Sequence, residues 1–206
     1  MRMSWRLASR FSVITLALLV VVIVAFWGAR NSNGGASATS TLQGTDIGSQ
    51  PAPDFHLTDQ FGKPISLSQF RGKTVVLTFL YTHCPDACPL TAEKLHATQV
   101  QLGKDASNVV MLAVSTDPTG DTPASALAFS QTHKLSNNWH YLLGTHEALS
   151  PVWNAYSIYA QPATATVTHT SAVYIIDDKG RERIFFSNDF TSAQLTNDLK
   201  VLLNEG

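Results

Sequence analysis

The stretch KTVVLTFLYTHCPDACP, residues 73–89, decides the fold of this 206-residue chain and holds both of its cysteines. Residues 73–81 are a nearly continuous run of β-branched and aromatic side chains, which predicts a central strand covered on both faces. Pro85 suits the first position of a helix, and helical spacing continues to about residue 103. The stretch therefore predicts a buried strand that ends beside Cys84 and a helix that carries Cys88.

The spacing of Cys84 and Cys88 allows a structural disulfide, a thiol redox pair or a clamp for a soft metal ion. Residues i and i+4 of a helix face the same way, so both thiols would meet at a helix N-terminus, which favours thiolate. Such a pair closes into a disulfide or holds a thiophilic ion such as Cu(I). A disulfide across so short a loop stabilises a fold poorly, because it removes little entropy from the unfolded chain. We therefore expect a functional pair.

The chain beyond residue 51 has the pattern of a mixed α/β domain. Before the strand at 73–81, the sequence predicts a hairpin around residues 60–63. After the cysteine helix it predicts a strand at 108–116, a helix from 121 or 122 to about 135, a helix at 147–159 interrupted by Pro151, two strands within 171–187 and an amphipathic helix at 191–205. After the hairpin, the order strand, helix, strand, helix, strand, strand, helix is that of the thioredoxin superfamily. We therefore predict an α/β, thioredoxin-like fold with a mixed central sheet flanked by helices.

The N-terminal residues 1–30 predict a single transmembrane helix. Three arginines precede an uncharged apolar run at residues 11–27 and one follows it, which favours a cytoplasmic N-terminus. As a helix this run is about 26 Å long, the lower limit for crossing a bilayer. An uncleaved signal anchor is our interpretation, and a cleaved signal with its site near residues 36–38 is the alternative. The composition of residues 31–50 predicts a flexible linker. We predict that residues 51–206 form the folded domain, which lies outside the cytoplasm and is tethered to the cell membrane by the anchor.

Charge is distributed unevenly along the chain. Four of the 14 basic residues lie in the first 30 positions and all 15 acidic residues lie beyond position 45, which leaves 10 basic against 15 acidic side chains and a net charge of −5. An acidic domain is repelled by phosphate backbones, so nucleic acid is not an expected partner.

A third ligand would distinguish a metal site from a redox pair, and the chain has seven histidines. His169 follows a Thr-rich segment and precedes an apolar strand, in a loop that in a thioredoxin-like fold passes beside the start of the first helix. Imidazole accepts Cu(I) and Cu(II), but on spacing alone a solvated loop histidine explains His169 equally well. His83 could raise the thiolate fraction of Cys84, although neighbouring side chains diverge in direction. The remaining histidines are interpreted as surface or packing residues: His56, His96, His133, His140 and His146.

Three segments together resemble the Sco/SenC family of copper-binding, membrane-tethered, thioredoxin-like proteins. They are FHLTDQFGKPISLSQFRGKTVVLTFLYTHCPDACP (55–89), STDPTGDTP (115–123) and VTHTSAVYIID (167–177). The resemblance covers residues 51–206 in order. A CxxxC spacing alone would not be specific, whereas CPDACP combined with DPTGDTP and the histidine segment is.

The resemblance implies that Cys84, Cys88 and His169 bind one copper ion per chain, as Cu(I), Cu(II) or both. It implies a role in assembling the copper A centre of cytochrome c oxidase, by copper delivery or by reduction of target cysteines. The copper A-bearing subunit is then the expected partner, with other copper chaperones or thiol reductants as further candidates. Asp86, Asp117 and Asp121 match acidic family positions near the site. Turn and cap chemistry is the alternative for all three, and it is the favoured one for Asp121. One departure is that no acid immediately precedes His169.

Two other functions fit parts of the pattern. An exported thiol–disulfide oxidoreductase would use Cys84 and Cys88 as its redox pair, although that class usually has a CxxC motif. A peroxidase of the peroxiredoxin kind would need a proline at a fixed distance before the reactive cysteine, and the residues before Cys84 contain none at that spacing. We therefore expect a metallochaperone, or, if the protein is an enzyme, a thiol–disulfide oxidoreductase.

Overall fold

A mixed sheet of eight strands forms the centre of the region that the structure, a computed structural model, describes. The described residues are 19–23, 41–135, 138–161 and 168–205. The chain divides into two units, residues 1–41 and 42–206, and the sheet belongs to the second.

The strands, numbered along the chain, are β1 (Thr45–Asp46), β2 (His56–Asp59), β3 (Pro64–Ser66), β4 (Thr74–Leu80), β5 (Val109–Ser115), β6 (Trp139–Leu143), β7 (Ala160–Gln161), β8 (Thr168–His169), β9 (Val173–Ile176) and β10 (Glu182–Phe186). Their order in the main sheet is β1-β10-β9-β4-β5-β6-β2-β3, and β7 pairs with β8 in a separate ribbon. The α-helices are α1 (Ala87–Leu102), α2 (Pro123–Thr132), α3 (His146–Ala155) and α4 (Ser192–Leu203). Short 3₁₀ helices cover Leu67–Phe70 and Gly103–Asn108.

The two central strands, β4 and β5, are parallel and buried along their whole length. Because side chains alternate along a strand, Val76 and Leu80 of β4 pack into one core with α1, α2 and α4. Leu77 and Phe79 pack into a second core with α3 on the other face. The continuous apolar run of β4 is thus explained by helices on both sides of the sheet, as predicted.

The mixed sheet with flanking helices fits the predicted α/β, thioredoxin-like fold, and the hairpin is confirmed as β2 and β3. The strands that were not expected are β1, β6, β7 and β8. Strand β6 lies between α2 and α3 in the chain, parallel to β5 and antiparallel to β2. His140, interpreted as a surface or packing residue, lies in β6, and its Nδ1 is 3.0 Å from the buried carboxylate of Asp59. His146, interpreted in the same way, begins α3, and Pro151 lies inside that helix without interrupting it.

The sheet includes residues that come earlier in the chain than the composition predicted. Residues 45–46, assigned to the linker, form the edge strand β1 against β10. The buried carboxylate of Asp198 in α4 accepts the backbone N–H groups of Gln43 and Gly44 at 2.8–3.0 Å. A polar segment that pairs with residues some 140 positions away has no local pattern by which composition could reveal it.

The predicted membrane segment falls mostly outside the described residues, since only positions 19–23, which are helical, are described. Within the described part of the chain, no helix is both long and apolar enough to cross a membrane.

Candidate functional site

The cysteines lie at the edge of the sheet where β4 and β5 end and β9 begins. Cys84 follows the last residue of β4 by four positions, and Cys88 lies in the first turn of α1. Strand β9 runs antiparallel to β4, with Val173 opposite Thr78, so the chain before β9 lies at this same edge. Loops at the carboxyl ends of strands are the usual place for functional groups in α/β folds.

Cys84 lies outside the helix, which differs from the prediction of two cysteines on one helical face. The helix begins at Ala87, with Asp86 at its N-cap, because the chain turns at residues 82–86 before it can become helical. The backbone N–H of Cys88 still lies 3.3 Å from the sulfur of Cys84. Both residues are free thiols, Cys84 half-buried and Cys88 only 1 % exposed. The two side chains therefore meet as expected, but through a loop that folds back over the helix N-terminus.

The surroundings shift the pKa values of the two cysteine thiols in opposite directions. Burial alone would raise the pKa of Cys84, but hydrogen bonds from the Cys88 thiol, from backbone N–H groups of Asp86 and Cys88, and from the Tyr81 hydroxyl lower it. Burial, donation to Cys84 and the charge of Asp121 raise the pKa of Cys88 far above its ordinary value. Burial and donation to Cys84 raise the pKa of Tyr81 to about 12. The site thus favours one thiolate, at Cys84, held by a protonated neighbour.

Asp121 ties the loop that carries Cys84 to two strands. Its Oδ1 accepts the backbone N–H and the hydroxyl of Thr82 at 2.8 and 2.7 Å. Its Oδ2 accepts the hydroxyls of Ser115 and Tyr141 at 2.6 and 2.9 Å. Helix α2 is capped instead by Thr122, whose hydroxyl accepts the N–H of Ser125. Asp121 is therefore a positioning group for the cysteine loop.

The other two acids predicted near the site have more local roles. Asp117 accepts the backbone N–H of Thr119 and Gly120 in a tight turn. A Cβ at position 120 would overlap the Asp117 carboxylate, so a side chain there would displace that carboxylate from the turn. Asp86 is exposed and makes no side-chain capping bond to α1.

His169 belongs to the β7–β8 ribbon, which directly precedes β9 in the chain. It is in β8, opposite Ala160, four residues before Val173. The segment that follows it, Ser171 and Ala172, shares a small gap with Ala87 and Thr91 of α1. The side chain of His169 lies outside what the structure describes. Among the described side chains, no three His, Cys, Asp or Glu groups converge as a metal site.

Sequence reasoning missed the polar residues that surround the cysteines. Tyr81 and Thr82 directly precede the CPDACP motif, and their position beside Cys84 is the signal by which they could have been found. Ser115 begins the STDPTGDTP segment, which is the signal for it, whereas Tyr141 has none because it lies in the unpredicted strand β6.

Comparisons with known proteins agree with this architecture. The SCO1/SenC family model matches residues 44–204. Protein SCO2 homolog, mitochondrial, from Bos taurus is 30 % identical over 159 residues, which are 71 % of this chain and 58 % of the bovine protein. The chain thus spans less than two thirds of the length of that relative.

Solved structures show the same similarity. The structure of Bradyrhizobium japonicum ScoI with copper bound is 31 % identical, with a TM-score of 0.66, covering 74 % of this chain and 99 % of that one. The solution structure of apo Sco1 from Thermus thermophilus is 29 % identical, with a TM-score of 0.71, covering 81 % and 99 %. Since the family model covers most of the chain, from β1 to the end of α4, this protein belongs to the SCO1/SenC family.

Proposed function

We propose that this chain is a copper-binding assembly factor for the copper A centre of cytochrome c oxidase. It binds one copper ion as its cargo, through the thiolates of Cys84 and Cys88 and the imidazole of His169. The observation that carries this proposal is the contact between the two thiols, with the Cys88 N–H 3.3 Å from the Cys84 sulfur. Two thiolates and an imidazole are a donor set that suits Cu(I).

The two cysteines have different tasks in capture of the ion. Cys84 is the more exposed and carries the lowered pKa, so it ionises more readily than Cys88 and is the first sulfur to meet the incoming ion. Cys88 is buried and protonated, and its proton passes to solvent when copper replaces it. The backbone N–H of Tyr81 donates to the Cys88 sulfur and supports the resulting thiolate. Capture is therefore coupled to the release of one proton from Cys88.

Release follows by ligand exchange with the cysteines of the partner. A site with three ligands accepts a fourth without first losing one, so an incoming thiolate can bind before a ligand of this chain leaves. Cys84, at the surface, is the first sulfur to be displaced, and the buried Cys88 holds the ion longest. The mechanism requires both cysteines to be reduced.

A second function, reduction of target disulfides, has its own supporting observation. A thiolate at Cys84 with a thiol in contact is the arrangement of a nucleophilic and a resolving cysteine. Cys84 attacks the target disulfide and releases one target thiol. Cys88 then loses its proton, attacks the Cys84 sulfur and releases the second. The target gains two electrons, and this chain is left with the Cys84–Cys88 disulfide.

The proposed location is the outer face of the cell membrane. The arginine-flanked apolar run at residues 11–27 is the anchor, with the cytoplasmic N-terminus that its charges favour. The domain begins at residue 42, so the linker between the anchor and the domain is shorter than the predicted linker of residues 31–50.

The test of the proposed function is an anaerobic Cu(I) titration of the reduced full-length chain against a competing chelator. One copper per chain is expected. Cys84→Ser and Cys88→Ser should abolish binding, and His169→Ala should weaken it at least about 10-fold, whereas His146→Ala, a histidine at the start of α3, is the control. If His169→Ala binds like His146→Ala while the cysteines still reduce a model disulfide, the second function replaces the first.

A further inference from the structure

A groove of about 280 Å³ opens on the α2 side of the cysteine loop, and it contains two histidines. We call it the histidine groove. Its lining residues come from the cysteine loop, from α1 and from α2: Thr82, His83, Pro89, Ser125, Ala128, Phe129, Thr132 and His133. His83 directly precedes Cys84 and Pro89 directly follows Cys88, so the groove adjoins the proposed copper site without using either cysteine.

The hydrogen bonds around His83 determine which of its nitrogens is free. Its Nδ1 lies 3.1 Å from the hydroxyl of Thr82. That hydroxyl has one proton, which it donates to Asp121 at 2.7 Å or to Ser125 at 3.1 Å. Because the Asp121 carboxylate is the nearest and the only charged acceptor, we assign the hydroxyl proton to it, and Thr82 then accepts from Nδ1 of the neutral His83 ring. The lone pair is then on Nε2, the nitrogen available to a metal ion.

This arrangement resembles the outer shell of many metal-binding histidines. Such histidines usually donate the second ring N–H to an oxygen, which fixes the tautomer and the orientation of the ring. In this protein the Thr82 hydroxyl is that oxygen, and the buried Asp121 carboxylate holds Thr82 in place. His83 is thus prepared as a ligand by the same network that positions the cysteine loop.

The second histidine is fixed by the end of α2. His133 is the C-cap residue of that helix, with its backbone N–H bonded to the carbonyl of Phe129 at 3.1 Å. Its ring packs against the Phe129 ring with 4.5 Å between centroids, which leaves it half-buried. Among the described residues, neither ring nitrogen of His133 has a hydrogen-bond partner. Its nitrogens are therefore not committed to another group of the described residues, and the residue lines the groove.

We propose that the histidine groove is a second copper site, which holds Cu(II) through the imidazoles of His83 and His133. A given set of nitrogen and oxygen ligands binds Cu(II) more tightly than it binds the other divalent first-row ions. The groove offers two imidazoles, and the hydroxyls of Ser125 and Thr132 are also among its lining groups. The identity of the metal rests on the proposed copper function. The binding itself does not, because no cysteine takes part.

The two neighbouring sites would then differ in the oxidation state that they favour. The two thiolates of the cysteine site prefer Cu(I), whereas a site of imidazoles without thiolates suits Cu(II) better. Because His83 and Cys84 are adjacent in sequence, the histidine groove keeps Cu(II) next to the proposed Cu(I) ligands.

The test removes the cysteines and asks whether Cu(II) still binds. The full-length Cys84→Ser/Cys88→Ser chain is titrated with Cu(II) in competition with glycine, and the bound ion is examined by electron paramagnetic resonance. We expect one Cu(II) with hyperfine couplings to two nitrogens. His83→Gln and His133→Gln, added singly, should each weaken binding at least about 10-fold and remove one nitrogen coupling. His146→Gln is the matched control, since it removes a histidine that lies outside the groove.

If His83→Gln and His133→Gln bind Cu(II) like His146→Gln, the ion is held elsewhere and the inference is wrong. Circular dichroism shows whether the double serine variant is folded. If it is not, the same titration is made on the wild-type chain oxidised to the Cys84–Cys88 disulfide, which has no thiolate. The Cu(I) titration of the reduced chain depends on the cysteines, so failure of one proposal leaves the other untouched.

Discussion

The backbone N–H of Cys88 lies 3.3 Å from the sulfur of Cys84, although only Cys88 is in the helix. This contact places one sulfur at the positive N-terminus of α1 and leaves the other buried beneath it. The pair therefore consists of a partly exposed thiolate and a protected thiol, and this asymmetry leads to the first prediction.

Cys84 should react with iodoacetamide much faster than Cys88 in the reduced chain. Its lowered pKa means that thiolate persists to a lower pH than in a free cysteine, so the midpoint of its alkylation against pH should lie below the ordinary value. Cys88→Ala removes the thiol that donates to it, and the midpoint should rise. Mass spectrometry of the modified peptides over a pH series measures both effects. Equal reactivity of the two cysteines would contradict the assigned roles.

Asp121→Asn should destabilise the fold and loosen the cysteine loop. The carboxylate accepts four hydrogen bonds, two from Thr82 and one each from Ser115 and Tyr141, and an amide cannot accept all of them. We expect a loss of about 1–3 kcal/mol in the free energy of unfolding, measured by urea denaturation, and faster alkylation of Cys88. Asp86→Asn makes the same change at an exposed position and serves as the control. A loss no larger than that of the control would refute the role given to Asp121.

Asp198→Ala should release the segment that precedes β1. This buried carboxylate accepts the backbone N–H groups of Gln43 and Gly44. Hydrogen exchange at these two amides should accelerate, and stability should fall by about 1–3 kcal/mol. Lys200→Ala, at an exposed position of α4, should change neither quantity. Unchanged protection in Asp198→Ala would show that β1 pairing alone holds the segment.

Asp59 should make the fold sensitive to acid. Burial raises the pKa of this carboxyl, but hydrogen bonds from the Lys63 and Phe61 N–H groups and from His140 hold it below its usual range. A group with a lowered pKa contributes stability above its unfolded pKa, about 3.9, and loses it as the pH falls through the folded value. The free energy of unfolding should therefore drop below about pH 4, and less so in Asp59→Asn. Urea denaturation from pH 7 to 3 measures this, with Asp86→Asn as control.

How far the sequence predicts this fold depends on how local each signal is. Strands β4 and β5 were predictable because burial on both faces leaves a continuous apolar run. Strand β6 was not, because it is short and contains His140, whose polarity is satisfied by Asp59, 81 positions away.

The same distinction applies to the candidate site. The cysteine pair and its place beside a strand end follow from one short motif. The Asp121 network does not, since Thr82, Ser115 and Tyr141 reach it from three separate elements. The position of Cys84 outside α1 depends on the turn before Ala87, which a helical spacing rule cannot foresee.

The most direct test of the proposed copper ligands is X-ray absorption spectroscopy at the copper edge on the Cu(I)-loaded, reduced full-length chain. We predict two sulfur ligands and one nitrogen in the wild-type chain, and two sulfurs without that nitrogen in His169→Ala. A nitrogen that persists in His169→Ala, or fewer than two sulfurs in the wild-type chain, would contradict copper binding by Cys84, Cys88 and His169.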